Sequence, residues 1–388
     1  MRTVSPDKEY IVKIRRELHR YPEVGFDLEK TTALVRRELD RLGIEYTEKF
    51  GRSSIVAYIA GGRGKVVALR ADMDALPIKE ETGLPFASEH DGMMHACGHD
   101  AHTAMLLGTA KMLKEVEDEL PSEVRLFFQA AEEFAPGGAK LMCEDGCMEG
   151  VDVVVGAHMN PTVDCGKIKF NYSNMSATSR GFYLDIYGKA SHAAAPHKGI
   201  DAIALSYEIY SAMQVMRARE IDPKAPVILG IGEVHGGHAN NVVCDHVRMH
   251  GTIRTADDET GGFVYRRIDE IARAATAAVG AGYELTTTKH YPAVVNTPEL
   301  AKIIYRCGEK VLGKDNVIDT HTHTMGGEDF AFYLQHKPGV FFYVGARDTS
   351  YPLAPAHNSK YIINEDALTV GPAIFFEFVR KYCESIGK

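Results

Sequence analysis

The sequence predicts an α/β fold with two domains: a larger one in which helices cover a mixed sheet, and an inserted βαββαβ unit of the ferredoxin-like type. Two observations predict it. Strand-like apolar runs alternate with helical patterns over residues 1–178 and again over 292–388, which is typical of α/β domains. Residues 179–291 carry strand and helix patterns in the order of an autonomous two-layer unit. A chain of 388 residues is also longer than one ordinary core requires.

The elements of the larger domain follow from the spacing of their apolar residues. Amphipathic periodicity predicts helices over 8–19 and 29–42, with a break at Pro22 because proline interrupts a helix. Nearly continuous apolar runs then predict strands that are covered on both faces. In chain order, the remaining predictions are strands over 54–59 and 66–69, a helix over 101–116, strands over 124–131 and 151–157, a helix over 299–312, a strand over 340–345 and a helix over 365–382.

The inserted unit has a different pattern, which starts near residue 178. Phe182, Leu184 and Ile186 alternate along the chain, as the buried face of a strand requires. The flanking stretches, 171–178 and 291–297, are polar or contain proline, which suits a domain junction. The predicted elements are strands over 179–188, 227–234, 246–254 and 283–289 and helices over 201–217 and 262–279.

Composition excludes several classes of protein. The chain is 45% hydrophobic and 25% charged, which is ordinary for a globular protein and excludes disorder. A net charge of -9 leaves no basic surface for nucleic acid and argues against binding to an anionic membrane. Because the sequence has neither a long apolar run nor an apolar N-terminal signal, we expect a cytoplasmic protein. The seven cysteines are odd in number and scattered, so we expect reduced thiols.

Cys97 and His99 are the first candidate metal ligands. A thiol and an imidazole two residues apart, with Gly98 between them, can face one centre from a turn and bind a borderline-soft divalent metal. They precede a predicted helix, and we expect the backbone N–H groups at its start to favour the deprotonated thiol. Taken alone, the pair fits a buried free cysteine beside a hydrogen-bonded histidine equally well.

Further candidates follow the ends of predicted strands. Glu132 and Glu133 are adjacent carboxylates that point in different directions from an extended chain, so one can bind metal while the other reaches bound water. His158 also follows a strand, where a lone histidine is usually a core or capping residue, and His357 is the last candidate. Asp74 is either a carboxylate that orients a ligating histidine or a surface acid or helix cap.

Two other pairs have ligand-like spacing but a weaker context. Cys143 and Cys147 lack a second cysteine or histidine pair at matching spacing, which favours buried structural cysteines. His321 and His323 lie in a threonine-rich stretch that follows no strand, which favours a solvated loop over a ligand pair.

Short motifs are spread over almost the whole chain, at residues 70–76, 95–102, 129–133, 156–158, 188–192, 235–243, 251–254, 327–330 and 356–357. Together they resemble the aminoacylase/carboxypeptidase superfamily of co-catalytic metallopeptidases. The resemblance is to its amidohydrolase branch, which includes hippurate hydrolase, N-acyl-amino-acid amidohydrolases and indoleacetyl-amino-acid hydrolases. Asp72 departs from the wider superfamily, whose dipeptidase and carboxypeptidase members have a metal-binding histidine there, and this departure favours the amidohydrolase branch.

The resemblance implies a dinuclear metal centre with two divalent ions, which are Zn, Mn, Ni or Co. Glu132 matches the general base of the family, and Asp74 matches the aspartate behind a ligating histidine. The thiolate is implied to be shared between the two ions. The residues that match the metal ligands are Cys97, His99, Glu133, His158 and His357.

The resemblance also implies that the inserted domain is a lid and a dimerisation module, so that the protein is a homodimer or a higher homo-oligomer. His192, Asn240 and Arg254 match residues that help to bind the transition state or the substrate carboxylate. The alternative is that His192 caps the following turn and Arg254 pairs with a surface carboxylate.

The expected reaction is hydrolysis of an N-acyl amino acid to a carboxylate and a free amino acid, with a small N-acyl amino acid or dipeptide as substrate. One alternative enzyme is a dipeptidase, carboxypeptidase or N-acetyl-diamino-acid deacetylase with the same dinuclear centre. Another alternative is a metal-responsive binding protein that has lost catalysis, which is disfavoured because Glu132 accompanies a complete ligand set.

Overall fold

The computed structural model describes residues 1–386, and the side chains of these residues apart from Arg63, Lys289 and residues 383–386. The reduced-thiol expectation for Cys383 therefore lies outside the described side chains, whereas the other six cysteines are free. The chain divides into two compact units. Unit 1 contains Met1–Met175, Val295–His323 and Asp329–Lys388, and unit 2 contains Ser176–Val294 and Thr324–Glu328.

Strands and helices are interspersed along the described part of the chain. The strands are β1 Glu45–Thr47, β2 Ile55–Arg63, β3 Val67–Asp72, β4 Ser122–Gln129, β5 Val153–Asp164, β6 Ile168–Phe170, β7 Thr178–Tyr187, β8 Val227–Gly236, β9 His246–Thr255, β10 Gly282–Tyr291, β11 Val317–Asp319 and β12 Gly339–Arg347. The helices are α1 Lys8–Arg20, α2 Glu29–Leu42, α3 His99–Lys114, α4 Gly138–Glu144, α5 Ala202–Arg219, α6 Asp258–Val279, α7 Pro298–Leu312, α8 Ala331–His336 and α9 Val370–Ile386.

Unit 1 is built on an eight-stranded mixed sheet with the order β1-β2-β4-β3-β5-β12-β6-β11. The central strands β4, β3, β5 and β12 run parallel to one another. Every residue of β3 is buried, as expected for a strand that is covered on both faces. Asp72 at the end of β3 lies opposite Gln129 at the end of β4. The residues that follow these two strands therefore emerge at the same edge of the sheet, where α/β proteins place functional groups.

Helix α3 is buried along almost its whole length, because α1, α9 and strand β3 pack against it. The turn before it depends on Gly98, which has a φ of 87°. A Cβ atom at this position would lie 2.9 Å from the hydroxyl of Tyr361 and 3.3 Å from the Cβ of Met159. Both the positive φ and the close packing therefore require glycine. As a result, His99 is the first residue of the helix, earlier than the sequence predicted.

Unit 2 has two layers, a four-stranded antiparallel sheet and two helices that pack on it. The strand order is β10-β7-β9-β8, so that β8 and β10 form the two edges. Phe182, Leu184 and Ile186 of β7 are fully buried and pack in one core with residues of both helices. The alternation that predicted this strand thus corresponds to its buried face. The element order β7-α5-β8-β9-α6-β10 is βαββαβ, as predicted.

The predicted fold class is confirmed, and the differences concern short elements and strand ends. Strands β1, β6 and β11 have three residues each, too few to show a periodic pattern. The pairing of β5 with β3 ends at Gly156, but its pairing with β12 continues to Asp164. His158 therefore lies inside β5 rather than after it. None of the described helices combines the length and apolar composition that crossing a membrane requires.

Candidate metal centre and active site

The loop that contains His357 is joined to the turn that contains Cys97. The His357 N–H donates to the carbonyl oxygen of Ala96 at 2.8 Å. His357 has a φ of 65°. This left-handed conformation costs a non-glycine residue about 1–3 kcal/mol, so the surrounding contacts must hold it in place. This contact holds two predicted ligands, which are distant in sequence, close to each other.

Asp74 follows β3 and connects a histidine with the two adjacent glutamates. Its Oδ1 lies 3.3 Å from His99 Nδ1 and accepts the Glu132 N–H at 2.9 Å. Its Oδ2 accepts the Glu133 N–H at 3.1 Å. Asp74 is 1% exposed, so it is not a surface acid. The two N–H groups that it accepts lie outside the helices, so it is not a helix cap either. Its position fits a carboxylate that orients His99 through Nδ1 and leaves Nε2 for a ligand.

The structure brings all five predicted metal ligands together. Ligand atoms in each of three overlapping groups lie within 4.8 Å of one another. Cys97 Sγ lies 3.3 Å from His158 Nε2, and His357 Nε2 lies 2.8 Å from Glu133 Oε1. The groups are Cys97 with His99 and His158, Cys97 with Glu133 and His357, and His99 with Glu132 and Glu133. Cys97, His99 and Glu133 each belong to two of these groups, and the place of Cys97 in two of them is compatible with a thiolate that two ions share.

The ionisation of these side chains depends on burial and on their neighbours. Burial raises the pKa of the Cys97 thiol well above its usual value, and the charge of Glu133 raises it further. The start of α3 therefore does not by itself hold the thiol deprotonated, contrary to our expectation. Burial lowers the pKa of His158 to about 4. This imidazole is neutral at pH 7, which is the form that binds metal.

The residues present fit a divalent metal centre. His99 Nε2 is buried, and the described residues offer it no hydrogen-bond partner. A buried imidazole nitrogen in this state is normally bound to water or to a metal. Thiolate, imidazole and carboxylate are together the ligands that zinc and similar ions prefer. A bound cation would also supply the positive charge that a buried Cys97 thiolate needs.

Glu132 lies beside this ligand set. Its side chain is 6% exposed, and its Oε1 accepts the backbone N–H of Asp329 at 3.3 Å. The preceding residue, Ala131, has a φ of 51°. The chain therefore turns after the end of β4, and the two glutamates lie in a bend rather than in the extended segment that the sequence predicted. A carboxylate held beside metal ligands has the chemistry of a general base.

The other predicted site residues lie in unit 2. His192 is exposed, and its Nδ1 accepts the Ala194 N–H at 3.0 Å, so it caps the following turn. Asn240 is exposed. Arg254 is half-buried and donates from Nη1 to Ile253 O at 3.3 Å and to Thr252 Oγ1. No carboxylate of the described residues is its ion-pair partner. Burial lowers the pKa of Arg254.

The two weaker pairs do not join a ligand group among the residues that the structure describes. Cys143 and Cys147 are buried, at the end of α4 and just after it. His321 and His323 lie in a loop outside the strands and helices. Both placements agree with the interpretations that the sequence favoured.

Sequence reasoning did not find a buried polar network behind the candidate centre. Arg70 donates to Gln129 Oε1, Asp72 Oδ2 and Asp329 Oδ1, each at 2.8 Å. Asp72 in turn accepts a hydrogen bond from His102. All five side chains are almost completely buried. The signal was present, because each residue lies inside or next to a quoted motif, but their mutual contacts come from distant parts of the chain.

The site combines a buried set of thiol, imidazole and carboxylate groups with a further carboxylate beside it, and it lies at the edge of a mixed α/β sheet. This combination is that of a metal-dependent hydrolase. The chain belongs to the peptidase family M20/M25/M40, whose sequence model matches residues 68–381. Membership in this family confirms the predicted superfamily and shows that the chain is a hydrolase.

Three similar proteins illustrate the relationship. An "N-acyl-L-amino acid amidohydrolase" of Geobacillus stearothermophilus is 42% identical over 77% of this chain and 81% of its own length. "Thermostable carboxypeptidase 1" of Saccharolobus solfataricus is 38% identical over 94% of this chain and 93% of its own. A crystal structure of a Bacillus subtilis "dinuclear metal binding peptidase from M20 family" superposes with a TM-score of 0.83 and 33% identity, covering 97% and 98% of the two chains.

Proposed function

We propose that the protein is an amidohydrolase that cleaves the amide bond of N-acyl amino acids to give a carboxylate and a free amino acid. The observation that carries this proposal is the placement of Glu132 beside the shared ligand set of Cys97, His99 and Glu133. The relative named N-acyl-L-amino acid amidohydrolase supports this substrate class. A relative named "N-acetyl-L-cysteine deacetylase", 37% identical over 98% of this chain, supports it as well.

The cofactors in this proposal are two divalent ions, each Zn, Mn, Ni or Co. Their ligands would be Cys97, His99, Glu133, His158 and His357, with Cys97 shared. Ions held there would polarise an amide carbonyl and lower the pKa of a water molecule toward about 7.

Glu132 is the proton carrier in this mechanism. Its carboxylate takes a proton from the attacking water and then transfers it to the nitrogen of the leaving amine, so that one group serves as base and acid in turn. Asp74 holds the backbone N–H groups of both glutamates, which keeps the base and the neighbouring ligand in a fixed relation. This arrangement reduces the reorganisation that proton transfer requires.

Two side chains of unit 2 are assigned to the substrate. Because His192 Nδ1 accepts the Ala194 N–H, its proton is on Nε2, which makes Nε2 a donor for the negative charge that develops on the amide oxygen. Arg254 suits the free α-carboxylate, since its planar fork can donate to both oxygens and the described carboxylates leave it unpaired. Asn240 is assigned a supporting polar contact. In this proposal, the inserted unit is a lid domain.

The proposal is tested by a substrate screen with metal-reconstituted protein. N-acetyl and N-benzoyl amino acids are incubated beside a panel of dipeptides, and products are identified by mass spectrometry. Turnover of acyl amino acids that a chelator abolishes supports the proposal. Turnover of dipeptides alone would replace it with a peptidase, which the carboxypeptidase relative makes the second candidate. Metal binding without any turnover would indicate a binding protein.

Arg254→Ala is expected to raise KM for free-acid substrates by roughly 10- to 100-fold, the effect of losing hydrogen bonds to a charged group. Turnover of the corresponding α-carboxamide analogue is expected to change little. Arg248→Ala is the matched control, because Arg248 lies on the same strand and already pairs with Asp185 at 2.9 Å. Equal impairment of both substrates by Arg254→Ala would place carboxylate recognition elsewhere.

The protein is proposed to be a homodimer that associates through unit 2. Helix α5 exposes Ile203, Tyr207 and Val215, of which Tyr207 is 73% exposed. Edge strand β8 exposes Val234, and its outer backbone groups have no strand beside them in the described sheet. An edge strand is a template for pairing with another chain, and an exposed apolar helix beside it favours a second copy of the same unit.

Tyr207→Glu combined with Val215→Glu is therefore expected to convert the dimer to a monomer in sedimentation experiments at unchanged protein concentration. The new charges would be buried without partners in the dimer. Val279→Glu is the control, because Val279 is 49% exposed at the end of α6. A wild-type protein that sediments as a monomer, or a double variant that remains dimeric, contradicts this interface.

The proposed location is the cytoplasm. Six described cysteines are free, and free buried thiols are typical of proteins in reducing compartments. Cell fractionation with a specific antibody checks this assignment.

A further inference from the structure

We propose that Asp72 and His102 are positioning residues that fix the orientation of His158 through the backbone of Met159. This inference rests on the proposed function in one respect, namely that His158 is a metal ligand. It concerns two side chains to which neither the proposed mechanism nor the sequence motifs gave a role. His102 lies on α3, one turn beyond the start of the helix, and Asp72 ends β3.

Hydrogen bonds on both ring nitrogens determine the tautomer of His102. Its Nε2 lies 2.8 Å from the backbone nitrogen of Met159, and this N–H can only donate. Nε2 must therefore carry a lone pair. The proton of the neutral ring is then on Nδ1, which donates to Asp72 Oδ1 at 2.5 Å. Because neither nitrogen remains available, His102 does not serve as a metal ligand, although it lies near Asp72 and His99.

The same residue, Met159, also orients His158. His158 Nδ1 donates to the carbonyl oxygen of Met159 at 2.8 Å. The lone pair of His158 is thus on Nε2, which faces Cys97 Sγ at 3.3 Å. The N–H of Met159 thus contacts the His102 ring, and its carbonyl oxygen contacts the His158 ring. The centroids of these two rings are 4.5 Å apart. Fixing the Met159 N–H through His102 therefore fixes the backbone that sets the His158 ring.

Asp72 is itself held in place by two further hydrogen bonds. Its Oδ2 accepts from Arg70 Nη1 at 2.8 Å, and its backbone oxygen accepts from Thr103 Oγ1 at 2.9 Å. Arg70 is fixed by Asp329, a residue distant in sequence. All these side chains are buried, so the connected hydrogen bonds restrict the Asp72 carboxylate to one position. In this chain, Asp72 thus has a hydrogen-bonding role toward both Arg70 and His102.

The test compares metal binding by His102→Leu, His102→Gln and the wild-type protein. Leucine removes both hydrogen bonds, whereas the glutamine amide oxygen can still accept the Met159 N–H. Thr109→Val is the matched control, since it removes another buried hydrogen bond of α3, from Thr109 Oγ1 to Met105 O. Co²⁺ is added to metal-free protein, and its affinity is measured by competition with a chelator together with the thiolate-to-cobalt absorption spectrum.

We expect His102→Leu to weaken Co²⁺ binding by about 10- to 100-fold and to shift the absorption spectrum, as loss of support behind a ligating histidine does. His102→Gln is expected to recover most of the affinity, and Thr109→Val to leave it unchanged. If His102→Leu unfolds, Asp72→Asn tests the same link, because an amide cannot accept from both His102 and Arg70. Asp72→Asn is likewise expected to weaken Co²⁺ binding.

The outcomes separate this inference from the proposed function. Wild-type affinity and spectrum in folded His102→Leu or Asp72→Asn would overturn the positioning role and leave the amidohydrolase proposal intact. A wild-type protein that binds no cobalt would overturn both. If Thr109→Val weakened Co²⁺ binding as much as His102→Leu does, the cause would be a general destabilisation of α3. This result would also overturn the positioning role.

Discussion

Glu132→Gln is expected to lower kcat by roughly 10²- to 10⁴-fold, the usual contribution of a positioned general base. The change preserves the shape of the side chain and leaves the backbone N–H of residue 132 on Asp74 Oδ1. An amide cannot take a proton from water. Metal content and KM are therefore expected to stay near their wild-type values, which elemental analysis and steady-state kinetics measure.

The neighbouring substitution Glu133→Gln is the control, because Glu133 is assigned to the metal and contacts His357 at 2.8 Å. It is expected to reduce metal content as well as turnover. If Glu132→Gln lost the metal and Glu133→Gln kept it, the two assignments would have to be exchanged. A Glu132→Gln protein with a large fraction of wild-type turnover would remove this residue from the role of base.

Cys97→Ala is expected to leave the purified protein with far less bound metal and almost no turnover, because it deletes a ligand that two of the groups share. Cys143→Ala is the matched control. Cys143 is also a buried free thiol, with the same 8% exposure, but it lies outside every described ligand group. Wild-type metal content in Cys97→Ala, measured by elemental analysis, would show that the centre has been assigned to the wrong residues.

The sequence predicted those site residues whose spacing, or whose position after a strand, is visible within a short stretch of chain. Cys97 and His99 stand out by their spacing, and Glu132 and Glu133 stand out because they follow an apolar strand. The parallel arrangement of β3 and β4 then brings such strand ends together. This inference needs only local pattern and the general topology of α/β sheets.

The remaining features depend on contacts between distant segments. His158 was expected at a strand end, but pairing with β12 extends β5 beyond it. The thiol of Cys97 was expected to be acidified at a helix start, whereas burial and the Glu133 charge raise its pKa. The contact of Asp72 with His102 spans 30 residues and cannot be read from either position alone.

Metal-dependent hydrolysis of N-acyl amino acids is tested by titrating metal-free protein with a divalent ion while bound metal and turnover of an N-acyl amino acid are measured in the same samples. We expect turnover to be absent without metal, to rise as the ion binds and to reach its plateau at two bound ions per chain. Full turnover by protein that contains no metal, or two tightly bound ions without turnover of any acyl amino acid, would exclude this function.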